Sequence, residues 1–285
     1  SISDDIALVA CEDKDGNIWF GMISTGLCCY NYMSNSFTNY QGKNLLQGTL
    51  GSVNCLFVDS QNEVWFSMGR TGISHLNKTD STFDTFDVIT AERCPYNTPY
   101  RIEFNNFVMD IKERDSENLW LGTPDGLFNL HKKTKSFTVL RPKKQFNLDA
   151  DIYNAKSIIV AGSKVWIGGF RSGLQCYDTL TKQWSDYDII TTDLLKQPRQ
   201  HMQNVVLHIT PKDSDTFWIA SYDQGLCIFN TTTKKCRFFS EESKYNFLPK
   251  TEALFLITDN KSNLFVLYNN QYFYLKICPN LFKQF

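Results

Sequence analysis

Residues 13–40 read DKDGNIWFGMISTGLCCYNYMSNSFTNY, and this stretch decides the fold. An acidic turn, Asp13-Lys14-Asp15-Gly16, leads into an apolar strand centred on Trp19. A small residue, Gly21, follows; then a polar turn; then Gly26-Leu27 opens a second strand, and Phe37 to Tyr40 supplies a third. With the preceding apolar run from Ile6 to Glu12, the unit reads as four short strands. They are A (residues 6–12), B (17–22), C (27–32) and D (36–40). Asp15-Gly16 is a hairpin signal for the A–B turn.

The pattern returns five more times. The Trp recurs as Trp65, Trp120, Trp166 and Trp218, with Phe265 in the sixth place, at steps of 46, 55, 46, 52 and 47 residues. Two positions after each anchor stands a small residue (Gly21, Ser67, Gly122, Gly168, Ala220), which the sixth unit replaces with Leu267. Six or seven after it comes Gly followed by an apolar residue: Gly26-Leu27, Gly72-Ile73, Gly126-Leu127, Gly173-Leu174 and Gly225-Leu226. Bulky residues recur near eighteen after the anchor (Phe37, Phe83, Phe137, Trp184, with Cys236 in the fifth unit), and again about three further on. A period of about 40–50 residues suits a four-stranded propeller blade. No segment keeps a 3.6-residue period, so helix content should be low. One four-stranded sheet cannot bury both faces, whereas stacking sheets radially buries the Trp column between neighbours. The expected fold is all-β: one β-propeller domain over residues 1–285, with six blades in this chain and a ring of six or seven.

Composition narrows the function. Formal charge is −1, so no global field draws the chain to nucleic acid or an anionic membrane. Short basic clusters at Lys132-Lys133-x-Lys135, Arg141-Pro142-Lys143-Lys144 and Lys234-Lys235 read as solvated turns. No apolar run reaches roughly 18 residues, and no charged-then-apolar leader is present. The chain begins inside what reads as a strand, which predicts a piece of a longer protein. Nine cysteines form no C-x-x-C pair, and most fall in apolar strands as small hydrophobes. The four histidines lack metal-ligand spacing, and no G-x-S-x-G elbow is present. The acidic A–B turns do not match a calcium loop, so neither a metal nor a cofactor is expected. Asp5, Asp110 and Glu252, in or near A strands, are the acids that a propeller glycosidase or lyase would need.

The connections from strand D to the next strand A vary most in length, and long loops on a rigid scaffold are where binding concentrates. The three longest span residues 87–106, 141–154 and 188–204 and emerge on the same face as the B–C turns. That face offers Tyr96, Tyr100 and Arg101 from the longest loop, Arg70, Arg171 and Tyr222 from B–C turns, and Arg199 and His201 from the loop before the fifth blade. Aromatic faces for stacking and planar guanidinium donors for hydroxyls or carboxylates suit an oligosaccharide. These eight residues are the expected ligand-binding group.

Asp13-x-Asp15-Gly16-Asn17-Ile18-Trp19-Phe20-Gly21, then Gly26-Leu27-x-x-Tyr30 and Phe37-x-x-Tyr40, resembles the two-component regulator propeller repeat. Asn118-Leu119-Trp120-Leu121-Gly122-Thr123 with Gly126-Leu127, Val165-Trp166-Ile167-Gly168 with Gly173-Leu174-x-x-Tyr177, and Trp218-Ile219-Ala220 with Gly225-Leu226 resemble it too, as do Asn106 and Asn204 before strands A. The resemblance implies the periplasmic sensor region of a hybrid two-component histidine kinase of gut anaerobic bacteria. It implies an oligosaccharide ligand, a neighbouring propeller or β-sandwich domain of the same receptor, and a possible homodimer. No catalysis by this chain is expected, since any kinase would lie elsewhere in the protein. The alternatives are a glycan-active propeller enzyme and a ligand-free propeller that docks a protein or dimerises.

Overall fold

Six antiparallel sheets follow one another along the chain, each strand pairing with its neighbours in sequence. The computed structural model describes residues 6–41, 51–88, 106–124, 126–140, 155–169, 172–189, 204–222, 224–239, 253–258, 263–268 and 271–275. The strands of blade 1 are Ala7–Glu12, Ile18–Met22, Leu27–Asn31 and Ser36–Tyr40; those of blade 2 are Val53–Val58, Val64–Met68, Ile73–Asn77 and Thr82–Phe86. Blade 3 comprises Asp110–Asp115, Asn118–Thr123, Gly126–His131 and Ser136–Leu140; blade 4, Ser157–Ala161, Lys164–Gly169, Gly173–Asp178 and Gln183–Tyr187. Blade 5 has Val206–Pro211, Thr216–Ser221, Gly225–Asn230 and Lys235–Phe238; blade 6 has Ala253–Thr258, Leu264–Tyr268 and Gln271–Leu275. The protein is therefore a six-blade β-propeller built from four-stranded sheets, with three strands of blade 6 among the described residues and no α-helix among them. Blades 1–3 belong to one compact unit, Ser1–Arg141, and blades 4–6 to a second, Pro142–Phe285.

All five anchor tryptophans are buried, at 1–2% exposure. Each sits in the second strand, opposite residues of strands A and C, as Trp19 does between Cys11 and Cys29. The indoles of Trp19, Trp65, Trp166 and Trp218 point at the next sheet. In the first unit, Trp19 with Leu27 and Cys29 packs on Val53, Val64, Phe66, Met68, Leu76 and Phe83 of blade 2. Trp65 packs likewise on Val108, Ile111, Leu119 and Leu121 of blade 3. In the second unit, Trp166 meets Phe217 and Phe229 of blade 5 edge-on, with ring centroids 5.3 and 5.5 Å apart. Trp218 packs against Leu256, Leu264, Val266 and Tyr268 of blade 6. The last strand of the same blade backs the indole: Tyr40, Tyr187 and Phe239 lie 5.3, 5.6 and 5.7 Å from Trp19, Trp166 and Trp218. The sixth anchor differs, for Phe265 is 38% exposed.

The small residue two positions on has a steric cause. A Cβ on Gly21 would lie 2.5 Å from Val53 of blade 2 and 2.6 Å from Val9 of its own blade. A Cβ on Gly168 would collide with Val206 of blade 5. The gap beside Trp19 and Trp166 is filled by the next blade's first strand.

The acidic turn holds the indole N–H. Asp13 Oδ2 accepts from Trp19 Nε1 at 2.8 Å, while its Oδ1 takes the backbone N–H groups of Asp15 and Asn17. Asp59 does the same for Trp65, at 3.0 Å. Burial works against both carboxylates, yet their hydrogen bonds, for Asp59 foremost the one from the Lys132 ammonium, prevail and hold both pKa values below the ordinary Asp value. In blade 3 the position six before the anchor is Arg114, whose guanidinium stacks over Trp120 at 5.1 Å.

Two of the basic clusters, around Lys132 and Lys234, are not simply solvated turns, and Arg141-Pro142-Lys143-Lys144 lies outside the described residues. Lys132, 8% exposed, reaches from blade 3 to Asp59 of blade 2 at 2.7 Å and to Glu113 at 3.3 Å. Lys78 lies 5.5 Å above Trp19, Lys135 4.8 Å above Trp65, and Lys234 5.2 Å above Trp166. In each case the receiving blade lays an ammonium over the indole it receives, a cation–π contact. Burial pushes the Lys135 and Lys234 pKa values down.

Five left-handed residues mark the C–D turns: Asn35, Ser81, Lys135, Lys182 and Lys234, with φ from 50° to 61°. Ser81, Lys135, Lys182 and Lys234 donate their backbone N–H to the carbonyl of the residue four before. That earlier residue, Asn77, His131, Asp178 or Asn230, also caps the turn with its side chain. Asn77 and Asn230 are thus occupied as turn acceptors.

Two outcomes follow. Asp59→Ala leaves the Lys132 ammonium with Glu113 alone and strands the Trp65 N–H, and should cost roughly 3–5 kcal/mol in urea unfolding. Asp13 and Asp59 have lowered folded pKa values, so their stabilisation is present above the unfolded carboxylate value of about 3.9 and is lost as pH falls through the folded values. Thermal midpoints should drop as pH falls below about 5, and an Asp13→Asn, Asp59→Asn double variant should show a shallower drop.

Candidate functional site

One device fixes the loop ends in each of the two units. In the first, Gly72 opens strand C of blade 2 with φ +88°, and its N–H donates to the Asn106 carbonyl at 2.9 Å. The Asn106 side chain then pins the exit of blade 2. Its Oδ1 accepts from Val88 N–H at 2.8 Å, and its Nδ2 donates to Asp87 at 2.7 Å. A Cβ on Gly72 would collide with the Phe86 carbonyl and with Asn106 Oδ1, so only Gly fits here. In the second unit, Gly173 N–H donates to the Asn204 carbonyl at 3.0 Å. Asn204, at φ +63° and 5% exposed, takes Ile189 N–H at 2.7 Å and donates to Asp188 at 2.9 Å. Each clamp ties together the two ends of a long D–A connection and the adjacent B–C turn. Their aspartates, Asp87 and Asp188, stand at the loop exits.

Of the eight residues expected to bind a ligand, two fall among those described. Arg70 is exposed, two residues before the Gly72 clamp. Tyr222 is half-buried, and its backbone N–H donates to Val205 at 3.2 Å. They belong to different units. Tyr96, Tyr100, Arg101, Arg171, Arg199 and His201 lie outside the described residues, as do Asp125, Phe170 and Asp223 of the B–C turns. What the sequence reading missed is the work of Asn106 and Asn204. Each is preceded, 18 or 15 residues earlier, by an Asp-apolar pair (Asp87-Val88, Asp188-Ile189), and that pairing is the signal that could have revealed it.

The opposite face of the first unit holds a cleft of about 370 Å³, lined by Glu12, Asp13, Lys14, Val58, Asp59, Ser60 and Glu113. Most of its acids are spoken for. Asp13 and Asp59 hold indoles; Glu113 accepts from Ser60 Oγ at 2.7 Å and N at 3.0 Å, and from Lys132. Lys14 bridges to the Ser60 carbonyl and Asn62. These bonds join the A–B turns of successive blades and are structural. No group of three or more His, Cys, Asp or Glu among the described residues could hold a metal. Of the three acids named for an enzyme, Asp110 pairs with Lys112 at 2.9 Å, and Asp5 and Glu252 lie outside the described residues. Burial raises the thiols Cys29 and Cys176 to about 11 and Cys11 to about 12, which fits packing rather than nucleophilic cysteines.

Comparison with known proteins agrees with this architecture. A family model described as "Two component regulator propeller" matches residues 1–24. No curated protein matches the chain in sequence. Among solved structures, it is similar to the extracellular domain of the hybrid two component system BT3049 from B. thetaiotaomicron, with TM-score 0.53 and 18% identity over 96% of this chain and 40% of that one. The extracellular domain of BT4673 from the same organism gives TM-score 0.59 and 14% identity over 97% of this chain and 42% of that one. Virginiamycin B lyase from Staphylococcus aureus gives TM-score 0.65 and 14% identity over 96% and 86%. The chain thus spans well under half the length of the two-component domains. Residues 1–24 match the two component regulator propeller family, and the chain has the propeller fold found in extracellular domains of hybrid two-component systems.

Proposed function

We propose that this chain is a ligand-sensing propeller in the extracytoplasmic part of a hybrid two-component receptor, that it works in the periplasm, and that its ligand is an oligosaccharide. The observation that carries the reading is the paired clamp. Asn106 and Asn204 fix the roots of the two loops that bear Tyr96, Tyr100, Arg101, Arg199 and His201, and Gly72 brings the turn of Arg70 to one of those roots. A rigid root under a long loop is what a binding surface on a propeller needs. The family match and the extracellular two-component relatives support the sensor role. Signalling output belongs to other parts of the receptor, and a neighbouring propeller or β-sandwich domain, or a second copy, is the partner to which binding would be relayed. The lyase reading gains nothing from the described acids, because Asp110 is paired to Lys112.

Calorimetric titration of glycan fragments tests the proposal. An Arg101→Ala, Arg171→Ala double variant removes two charged donors, each worth about 1.5–3 kcal/mol in such a site, so binding should weaken by at least about tenfold. Asn106→Ala, which touches only the loop root, should weaken binding while Trp fluorescence and the urea midpoint show a folded protein. Equal binding by the double variant overturns the site, and new reducing ends or unsaturated products in the same mixtures overturn the sensor reading in favour of an enzyme.

A further inference from the structure

The first strand of every blade begins with the same irregularity. One extra residue precedes the residue that pairs with the position two past the anchor. In blades 1, 2, 5 and 6 it is Leu8, Asn54, Leu207 and Leu254, where the register breaks between Ala7 and Val9, Val53 and Cys55, Val206 and His208, and Ala253 and Phe255. In blades 3 and 4 it is Met109 and Lys156. Their backbone N–H groups donate to the carbonyls of Gly122 and Gly168, the glycines that pair with the next residues, Asp110 and Ser157. A bulge of this kind re-aims a side chain without ending the strand. Five blades fill the position with a neutral side chain, so the fold asks for no charge there. Blade 4 sets an ammonium on it.

Lys156 is half-buried, and its ammonium meets no carboxylate, hydrogen-bond acceptor or aromatic ring among the described residues. Lys132, by contrast, meets Asp59 and Glu113, and Lys135 and Lys234 lie over indoles. Burial alone lowers the Lys156 pKa, and no neighbouring acid restores it. The bulge stands at the loop end of its blade, beside the second clamp. Gly168, whose carbonyl accepts from Lys156, packs against Val206 of blade 5, which follows the clamp residue Asn204 by two positions. The carbonyl of the intervening Val205 receives the Tyr222 N–H. All of these residues belong to the second unit.

We infer that Lys156 is a specificity residue of the proposed sugar site, and that the ligand carries an anionic oxygen group, a carboxylate or a sulfate, which this ammonium pairs. The inference rests on the oligosaccharide-sensing reading and narrows it to acidic sugars. An ammonium drawn out of water without a counter-charge is costly. An arriving anion turns that cost into a charge-assisted hydrogen bond, whereas a sugar hydroxyl can accept a proton but leaves the charge unbalanced.

The test is calorimetric titration of the full chain with galacturonate, glucuronate and sulfated tetrasaccharides, each beside its carboxyl-reduced or desulfated counterpart. At least one acidic member should bind at least about tenfold more tightly than its neutral counterpart, the size of one charged hydrogen bond. Which member does so tells carboxylate from sulfate. Lys156→Leu, which installs the residue of blades 1, 5 and 6, should erase the difference, and Lys156→Arg should keep a preference for the acidic member. The urea midpoint of ligand-free Lys156→Leu should equal or exceed that of the wild type. A lower midpoint makes Lys156 part of the scaffold and overturns the inference. If a probe binds but acidic and neutral members bind alike, or the preference survives Lys156→Leu, the inference falls and the sensor reading stands. If none of the probes binds, both fall.

Discussion

A tryptophan in the second strand of a sheet that is too thin to bury it is the constraint on which this protein depends. The indole is covered only when the next sheet arrives, and the neighbouring residue types follow from that arrival. Gly21 and Gly168 are small because Val53 and Val206 of the following blade occupy the space where a side chain would stand. Asp13 and Asp59 satisfy an indole N–H that burial cuts off from water. Lys78, Lys135 and Lys234 close the solvent side with a charge over the ring. A sheet without a successor would lose all of these at once, because every one of them is formed by two blades or serves the indole between them.

The turns obey a second constraint, on backbone conformation. Gly72 and Gly173 need positive φ and also stand where any Cβ would strike a carbonyl and an Asn side chain, so side-chain identity is dictated there. The C–D turns need positive φ too. Asn, Ser and Lys all serve, because the αL penalty for one residue is modest and a side-chain cap from four residues earlier offsets it. Conformation repeats in five blades while the residue type drifts.

This difference explains what could be read without coordinates. The anchor column, the small residue and the Gly-apolar pair were legible because sterics leave few substitutes, and the strand bounds follow from them within a residue or two. The left-handed C–D position was not legible, since Asn35, Ser81 and Lys234 share no chemistry. Lys135 and Lys234 were misread as solvated because their partners lie on a different repeat, some 70 residues away, and charge alone does not disclose an aromatic ring beneath it. At the candidate site, Asn106 and Asn204 were visible as residues of the repeat, but their work depends on a three-way meeting of turn, loop exit and strand start. Arg70 and Tyr222 were placed correctly on B–C turns.

Because Trp19, Trp65, Trp166 and Trp218 all reach forward to the next blade, the stack within each unit has a direction, and its blades are not interchangeable. A lesion in one anchor falls on two sheets, its own and its successor's, and leaves the predecessor's contacts untouched. Injury therefore spreads downstream along the chain by one repeat and stops. Copying or deleting a whole repeat, by contrast, leaves every remaining contact with a partner of the right kind, since each blade asks only for a forward neighbour and a backward one. Nothing in any single repeat counts how many there are. Number is a property of closure alone, and it is free to change by duplication while the local chemistry stays fixed.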